Sequence, residues 1–396
     1  MQAVLKRLQG DKVIWMIAIL LSLLSILAVY SAISALAFRD GAHSLKYLFK
    51  HTIIIGMGFG VMFVIHKMRF KYFSRVSMIM IWVAIGLLVL TWLFGSNVNN
   101  AVRWLKIPGT GLTFQTSDFA KIVLITFVAR QLNVNRTKLH DFRNGVMPIL
   151  WPILAVCGLI FPSDLSTAAL IFMVCYLMMF FGGVPIKHLL KIAGAGVAGI
   201  LLLISLGKGA PDVFPRFQTW VNRIENFGSD EGEGNYQNNL AQVAIWKGGL
   251  APSMPGSSLA RNYLPHPYSD MIYAFIIEEY GAIFGGLGLL MLYLILLFRS
   301  IRISLKCPKH FGGLLVLGLS FMIVSQAFVN MAVAVNLFPN TGQPLPMVSM
   351  GGTSMIFTAL AIGMILCVSR SVYNQEEWDT ESVEINNEIK NTHVSE

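Results

Sequence analysis

Carboxylates set into an apolar sequence are the first candidates for chemistry. The stretch LPHPYSDMIYAFIIEEYG (264–281) places Asp270 just after a Pro-rich loop, at the mouth of an apolar run, with Glu278 and Glu279 further in. A carboxylate in that position can act as a general base toward a hydroxyl group. Its structural alternative is a helix N-cap. Ionisable residues inside a membrane are rare and are functional or paired. Adjacent residues on a helix point about 100° apart, so Glu278 and Glu279 do not both face one site. One of them is expected to form a salt bridge within the bundle.

Three further constellations carry polar chemistry. In NNAVRWLKIPGTGLTFQTSDFAK (99–121), Arg103, Lys106 and Lys121 flank a turn containing Gly109 and Gly111. Such cations can hold a phosphate or pyrophosphate, or they can anchor helix ends at a membrane interface. Asp118 and Lys121 have i,i+3 spacing at a helix start, with Thr116 or Ser117 as the expected N-cap. In FPSDLSTA (161–168), Asp164 lies between two apolar runs, where it can cap the second or orient a cation such as Arg103. In NLFPNTGQPLPMVSMGGTSM (336–355), Pro339, Pro344 and Pro346 forbid a regular helix, and Gly342, Gly351 and Gly352 permit tight turns. The stretch carries no charge. It suits a re-entrant element buried in protein at membrane depth, or else a rigid external loop.

The elements that must position these residues are membrane spans. Only 13% of the 396 residues are charged and 55% are hydrophobic, against roughly 25% charged in soluble domains. Apolar runs fall at 13–36, 52–66, 77–95, 119–132, 147–161, 165–182, 188–207, 271–298, 313–336 and 351–369. Most approach the ~20 residues that cross a bilayer. The expected fold is therefore an all-α polytopic membrane protein of about ten transmembrane helices. Lys6, Arg7, Lys12, Lys67, Arg69, Lys71, Arg75, Arg136, Lys138, Arg143, Arg299, Arg302, Lys306 and Lys309 all fall on one side if the spans alternate. The positive-inside rule makes that side cytoplasmic and puts both termini there.

The opposite, external side receives 96–118 and the long loop 208–270, whose 214–227 portion is amphipathic and whose centre from Ser229 reads as flexible. Residues 1–373 read as one transmembrane domain. The acidic segment 374–396 reads as a disordered cytoplasmic tail. The net charge of +10 belongs to topology and lipid contact, with no nucleic acid partner implied. Cys157, Cys175, Cys307 and Cys367 show no metal or disulfide spacing and read as packing residues. The first apolar run reads as a retained span, not a cleaved signal.

Taken in order, NNAVRWL, QTSDFAK, FPSDLSTA, YQNNLAQVAIWKGG, LPHPYSDMIYAFIIEEYG and PNTGQPLPMVSMGGTS resemble the SEDS family (shape, elongation, division and sporulation proteins) over residues 13–370. The resemblance implies ten transmembrane helices, cytoplasmic termini and a large external loop between helices seven and eight. It implies a peptidoglycan glycosyltransferase that polymerises lipid II, an undecaprenyl-pyrophosphate disaccharide pentapeptide, on the external face of the bacterial cytoplasmic membrane. The family's essential aspartate falls on Asp270, its Arg-Trp pair on Arg103 and Trp104, and its QPSE-x-x-K motif on 115–121, including Gln115 and Lys121. Its PDL-type hairpin falls on Asp164, and its closing motif spans 339–352 with Ser349, Gly351 and Gly352. With Lys106, these are the expected substrate contacts around a catalytic Asp270. A divalent cation (Mg or Mn), held partly by pyrophosphate, is admitted; no organic cofactor and no protein-built metal site is implied.

This chain departs from the family pattern at Thr116, Asp118 and His266, where Pro, Glu and Glu are usual, and at Pro252 and Pro255. The wording of the last two motifs is closer to the division branch, FtsW, than to the elongation branch, RodA. The implied partners are a class B penicillin-binding protein, other divisome proteins and membrane lipid. The competing readings are a lipid II flippase and a non-catalytic scaffold. Arg103, Lys106, Asp164 and Asp270 all map to external ends, which favours surface chemistry over a path through the membrane.

Overall fold

A chain crossing hydrocarbon must satisfy its own backbone groups, so the apolar runs become helices. The computed structural model describes residues 9–39, 44–98, 101–106, 113–209, 233–251, 256, 258, 260 and 268–394. The expectations for Gly109, Gly111, the 214–227 segment, Ser229, Pro252, Pro255 and His266 lie outside the described residues, as do the side chains of Arg103 and Lys106. The helices are α1 (Lys12–Arg39), α2 (Ser44–Lys67), α3 (Lys71–Phe94), α4 (Thr116–Val134), α5 (Met147–Ile160), α6 (Leu165–Phe181) and α7 (Ile186–Gly209). They continue with α8 (Glu233–Gly248), α9 (Ile272–Tyr280), α10 (Gly288–Lys306), α11 (His310–Ala334) and α12 (Thr353–Val394). Among the described residues, seven helical segments are long and apolar enough to cross a membrane, and α6 is a shorter apolar helix. The chain is thus a multi-pass membrane protein. Helix α4 falls outside the seven because it carries Asp118, Lys121 and Arg130. Its place is inside the bundle, with most of its residues buried.

The apolar run expected at 271–298 is not one helix. A straight helix over Ile272–Lys306, 35 residues, would be about 52 Å long, against a hydrocarbon core of ~30 Å. It breaks at Gly281, whose φ is +76°, and a π-helical turn (Gly281–Leu287) leads into α10. The preceding α9 is buried over residues 272–279, on every side. One expectation about a flanking segment is also corrected. The stretch 96–118 was expected as a loop, but it holds a three-stranded antiparallel sheet of β1 (Ser96–Val98), β2 (Ala101–Lys106) and β3 (Thr113–Gln115). At the other end of the chain, α12 continues to Val394. Extending a nucleated helix adds one hydrogen bond per residue ordered, so a polar continuation needs no nucleus of its own.

The segment between α11 and α12 is non-helical and buried from Leu345 to Ser349. Backbone groups in such a place need partners, and side chains from several helices supply them. Asn330 Nδ2 donates to Gln343 O (2.8 Å) and Gln326 Nε2 to Pro344 O (2.9 Å). The Tyr293 hydroxyl donates to Pro346 O. Ser25 Oγ donates to Val348 O (2.7 Å) and lies 2.8 Å from His51 Nε2. Because Ser25 gives its single proton to Val348, His51 must donate from Nε2. These bonds bracket Met347, a non-glycine residue at φ +62°, a backbone state that costs about 1–3 kcal/mol and persists only where the surroundings dictate it. Of the two expectations for this segment, burial in protein is the one observed.

Tyr293→Phe leaves Pro346 O buried without its donor. The expected result is a destabilisation of about 1–3 kcal/mol, seen as a lower unfolding midpoint in detergent at unchanged helix content. An unchanged midpoint would show that the bond does not support the segment.

Candidate active site

Several chain segments begin or end at one cavity of about 330 Å³. Its lining includes Trp104 and Gln115 from the sheet, Asp118 of α4, Asp164 and Thr167 at the start of α6, Ser269 and Asp270 before α9, Gly342 to Pro344, and Met350 to Gly352 with Ser354 at the start of α12. The N-termini of four helices, α4, α6, α9 and α12, therefore converge here. Helix N-termini carry positive partial charge and unpaired N–H groups, which favour anions.

Asp270 is half-buried in a turn before α9, and the residue in the N-cap position is Met271, without a side-chain cap. The capping alternative for Asp270 is thereby set aside. Three successive carbonyls hold its turn. Tyr268 O accepts from Met350 N (3.0 Å), Ser269 O from Ser349 Oγ (2.7 Å), and Asp270 O from Asn330 Nδ2 (2.8 Å). Ser269 Oγ donates to Asp270 Oδ1 (2.8 Å). Among the described residues, Oδ2 accepts no hydrogen bond. Gly342 lies beside it, a Cβ there falling at an ordinary contact distance of 3.7 Å, and its φ of +65° is what favours glycine.

The other two carboxylates are engaged. Asp164 caps α6, accepting from Thr167 N (3.0 Å) and Ser166 Oγ (2.8 Å), and it still lines the cavity. Asp118 pairs with Lys121 at 2.7 Å, both side chains nearly fully buried, and Lys121 Nζ also donates to Gln326 Oε1 (3.2 Å). The expected cap at Thr116 or Ser117 is not formed. Gln115 takes the N-cap position without a side-chain cap, and its Nε2 donates to Ser117 Oγ (3.1 Å).

The sheet positions the remaining wall. Trp104 pairs with Gln115 across β2 and β3. Strand β3 is pinned to α12 by Phe114 against Phe357, edge-on at 5.6 Å between ring centroids, and by Gln115 N to Thr353 Oγ1 (3.4 Å).

Of the expected substrate contacts, the cavity gathers Asp270, Trp104, Gln115, Asp164, Gly351 and Gly352. Two do not reach it. Lys121 lies behind the wall, held by Asp118 and Gln326, because a buried ammonium needs a buried counter-charge. Ser349, 2% exposed, holds the Asp270 turn from beneath. Arg103 and Lys106 are on β2. The reading of the paired glutamates holds, and both serve the fold. Glu278 takes Lys247 of α8 (3.2 Å), Ser258 Oγ and Ala260 N, whereas Glu279 takes Ser31 of α1 and Gly256 N (2.9 Å). Unforeseen contributors are Thr167, Gln343, Asn330 and Gln326. Their one signal was the i,i+4 pair Gln326 and Asn330, polar residues on one face of an apolar run. Among the described residues, no three His, Cys, Asp or Glu side chains form a group able to hold a metal ion.

The family model of the FtsW, RodA and SpoVE cell cycle proteins matches residues 11–374. Stage V sporulation protein E of Bacillus subtilis is 30% identical over 369 residues, covering 92% of this chain and 98% of that protein. A probable peptidoglycan glycosyltransferase FtsW from a Geobacter species is 30% identical over 376 residues, with the same coverage of 92% and 98%. Among solved structures, one from a study of "Structural coordination of polymerization and crosslinking by a peptidoglycan synthase complex" aligns with a TM-score of 0.73 at 24% identity, covering 92% of this chain and 98% of that one. The rod shape determining protein RodA of Thermus thermophilus aligns with a TM-score of 0.64 at 22% identity, again covering 92% and 98%. Both structural likenesses are likenesses of fold.

Lys121→Met leaves Asp118 buried and unpaired. This single change is expected to destabilise by about 3–5 kcal/mol, and Lys121→Met with Asp118→Asn by much less. Thermal unfolding of the purified variants measures both. Full stability in the single variant would return Lys121 to the list of substrate cations.

Proposed function

This chain belongs to the family of FtsW, RodA and SpoVE cell cycle proteins, and on that footing we propose that it is a peptidoglycan glycosyltransferase that polymerises lipid II. The observation that carries the reading is the setting of Asp270. A carboxylate with a free oxygen faces a cavity onto which four helix N-termini converge. An acceptor sugar hydroxyl beside Asp270 gives its proton to the carboxylate as its oxygen bonds to the anomeric carbon of the donor. The bond from that carbon to the pyrophosphate oxygen breaks, and the lipid pyrophosphate leaves with the electron pair. Negative charge then grows where helix N-termini favour it. Arg103 and Lys106, on the strand that contributes Trp104, are the cations we assign to the leaving group.

The wider reading follows the same footing. Ten membrane crossings, both termini in the cytoplasm and the cavity on the external face of the bacterial cytoplasmic membrane are supported by the distribution of Lys and Arg along the chain. The partner is a class B penicillin-binding protein, supported by the likeness to a chain from a complex that couples polymerization to crosslinking. The work is that of cell division, supported by relatives named FtsW and by the wording of the last two motifs. Among the described residues no three His, Cys, Asp or Glu side chains come together to hold a metal ion, and Asp118 already has Lys121 as its counter-charge. A divalent cation would therefore sit largely on the pyrophosphate itself.

The test is a gel of glycan strands made from lipid II by the purified protein with its partner. Asp270→Ala and Asp270→Asn are expected to lower the rate by a hundredfold or more in protein that still folds. Strand synthesis at the wild-type rate in either variant would remove Asp270 as the base.

A further inference from the structure

Two of the segments that line the cavity, the turn at Ser269 and Asp270 and the segment at Gln343 and Pro344, lie far apart in the chain. A side chain from a third element touches the backbone of both. Asn330, 1% exposed in α11, donates from the same Nδ2 to Asp270 O and to Gln343 O, each at 2.8 Å. The geometry fixes the amide's orientation. The reverse orientation would set Oδ1 against two carbonyl oxygens, whereas the two N–H groups match them. Asn330 Oδ1 has no hydrogen-bond partner among the described residues, a cost the helix bears to keep the NH₂ group between the two segments.

We propose that Asn330 is the positioning residue of the reaction: a two-proton bridge that fixes the Asp270 turn against the neighbouring segment at Gln343. This rests on the glycosyltransferase reading above. Its neighbours in the segment do not do the same. Tyr293 and Ser25 each hold one carbonyl of 346–348 and do not touch the Asp270 turn. Ser349 and Met350 hold Ser269 and Tyr268, not Asp270 itself. No other common side chain of this length presents two protons from one nitrogen. Asp of the same shape, when ionised, places oxygen against both carbonyls, and when protonated it has one proton to give. The reacting atoms must be held in a near-attack geometry, where a displacement of about 1 Å costs on the order of a hundredfold in rate. The bridge is therefore expected to act on turnover and not on binding.

The experiment uses the full chain with its crosslinking partner and lipid II, and compares wild type, Asn330→Leu, Asn330→Asp and Tyr293→Phe. Tyr293→Phe removes one bond to the same buried segment but leaves the bridge intact, so it reports a purely structural loss. The expected result is a fall in kcat of at least tenfold in both Asn330 variants, with KM for lipid II within twofold of wild type. The kcat of Tyr293→Phe is expected to stay within twofold. Asn330 variants that keep wild-type kcat, match Tyr293→Phe, or raise KM alone overturn the proposal, and so does failure of both to fold. If the wild type itself makes no strands, the glycosyltransferase reading falls, and the bridge falls with it.

Discussion

The structure depends on an irregular stretch of backbone buried between two helices. Residues 343 to 348 contain two prolines and cannot form their own hydrogen-bond ladder. An unpaired buried carbonyl costs about 1–3 kcal/mol, so four such groups left alone would be comparable to the whole margin by which most proteins stay folded. The four are met by side chains from three helices: Asn330 and Gln326 from α11, Tyr293 from α10, Ser25 from α1. Those donors can reach only if α1, α10 and α11 pack around the segment in one arrangement.

Charge inside the bundle obeys the same economy. Asp118 and Lys121 neutralise each other where neither is solvated, and Gln326 joins that pair to the Pro344 carbonyl through its two ends. Glu278 and Glu279 diverge from adjacent positions to hold α8, α1 and the stretch at 256–260. At the other end of the bundle, Asp11 caps α1 and takes Arg299 at 2.6 Å, tying the start of the chain to α10. Of the described carboxylates at the cavity, Asp118 is buried with Lys121 as its counter-charge and Asp164 caps α6, whereas Asp270 is half-buried beside Ser269.

Much of this was legible in the sequence. The helical architecture follows from run length and low charge, and Asp270, Asp164 and the Pro/Gly segment stand out because each breaks an apolar pattern. The burial of Lys121 was not legible, because spacing from Asp118 shows that two groups can meet but not whether water reaches them. The sheet was missed although signals were present: VRW alternates apolar and polar, and Asn99 with Asn100 separates Val98 from Ala101, which pair in the antiparallel register. Asn330 and Gln326 were passed over because single amides in a long apolar helix look like tolerated polarity. Their targets are backbone carbonyls, which leave no trace in side-chain patterns. The helical course of 374–394 is a property of the helix before it, not of its own composition.

The break at Gly281 gives the site mechanical isolation. Helix α10 exposes Met291, Ile295 and Phe298 along one side, the part of the chain that meets lipid, and helices in lipid tilt to match bilayer thickness. Had α9 and α10 been one rod, each degree of tilt would have swung Asp270 along an arc set by some fifty ångströms of lever. With α9 enclosed by protein and joined to α10 through a left-handed glycine, the rod ends before the lever begins. The carboxylate then takes its coordinates from the buried core, and the membrane's fluctuations in thickness are absorbed one helix away.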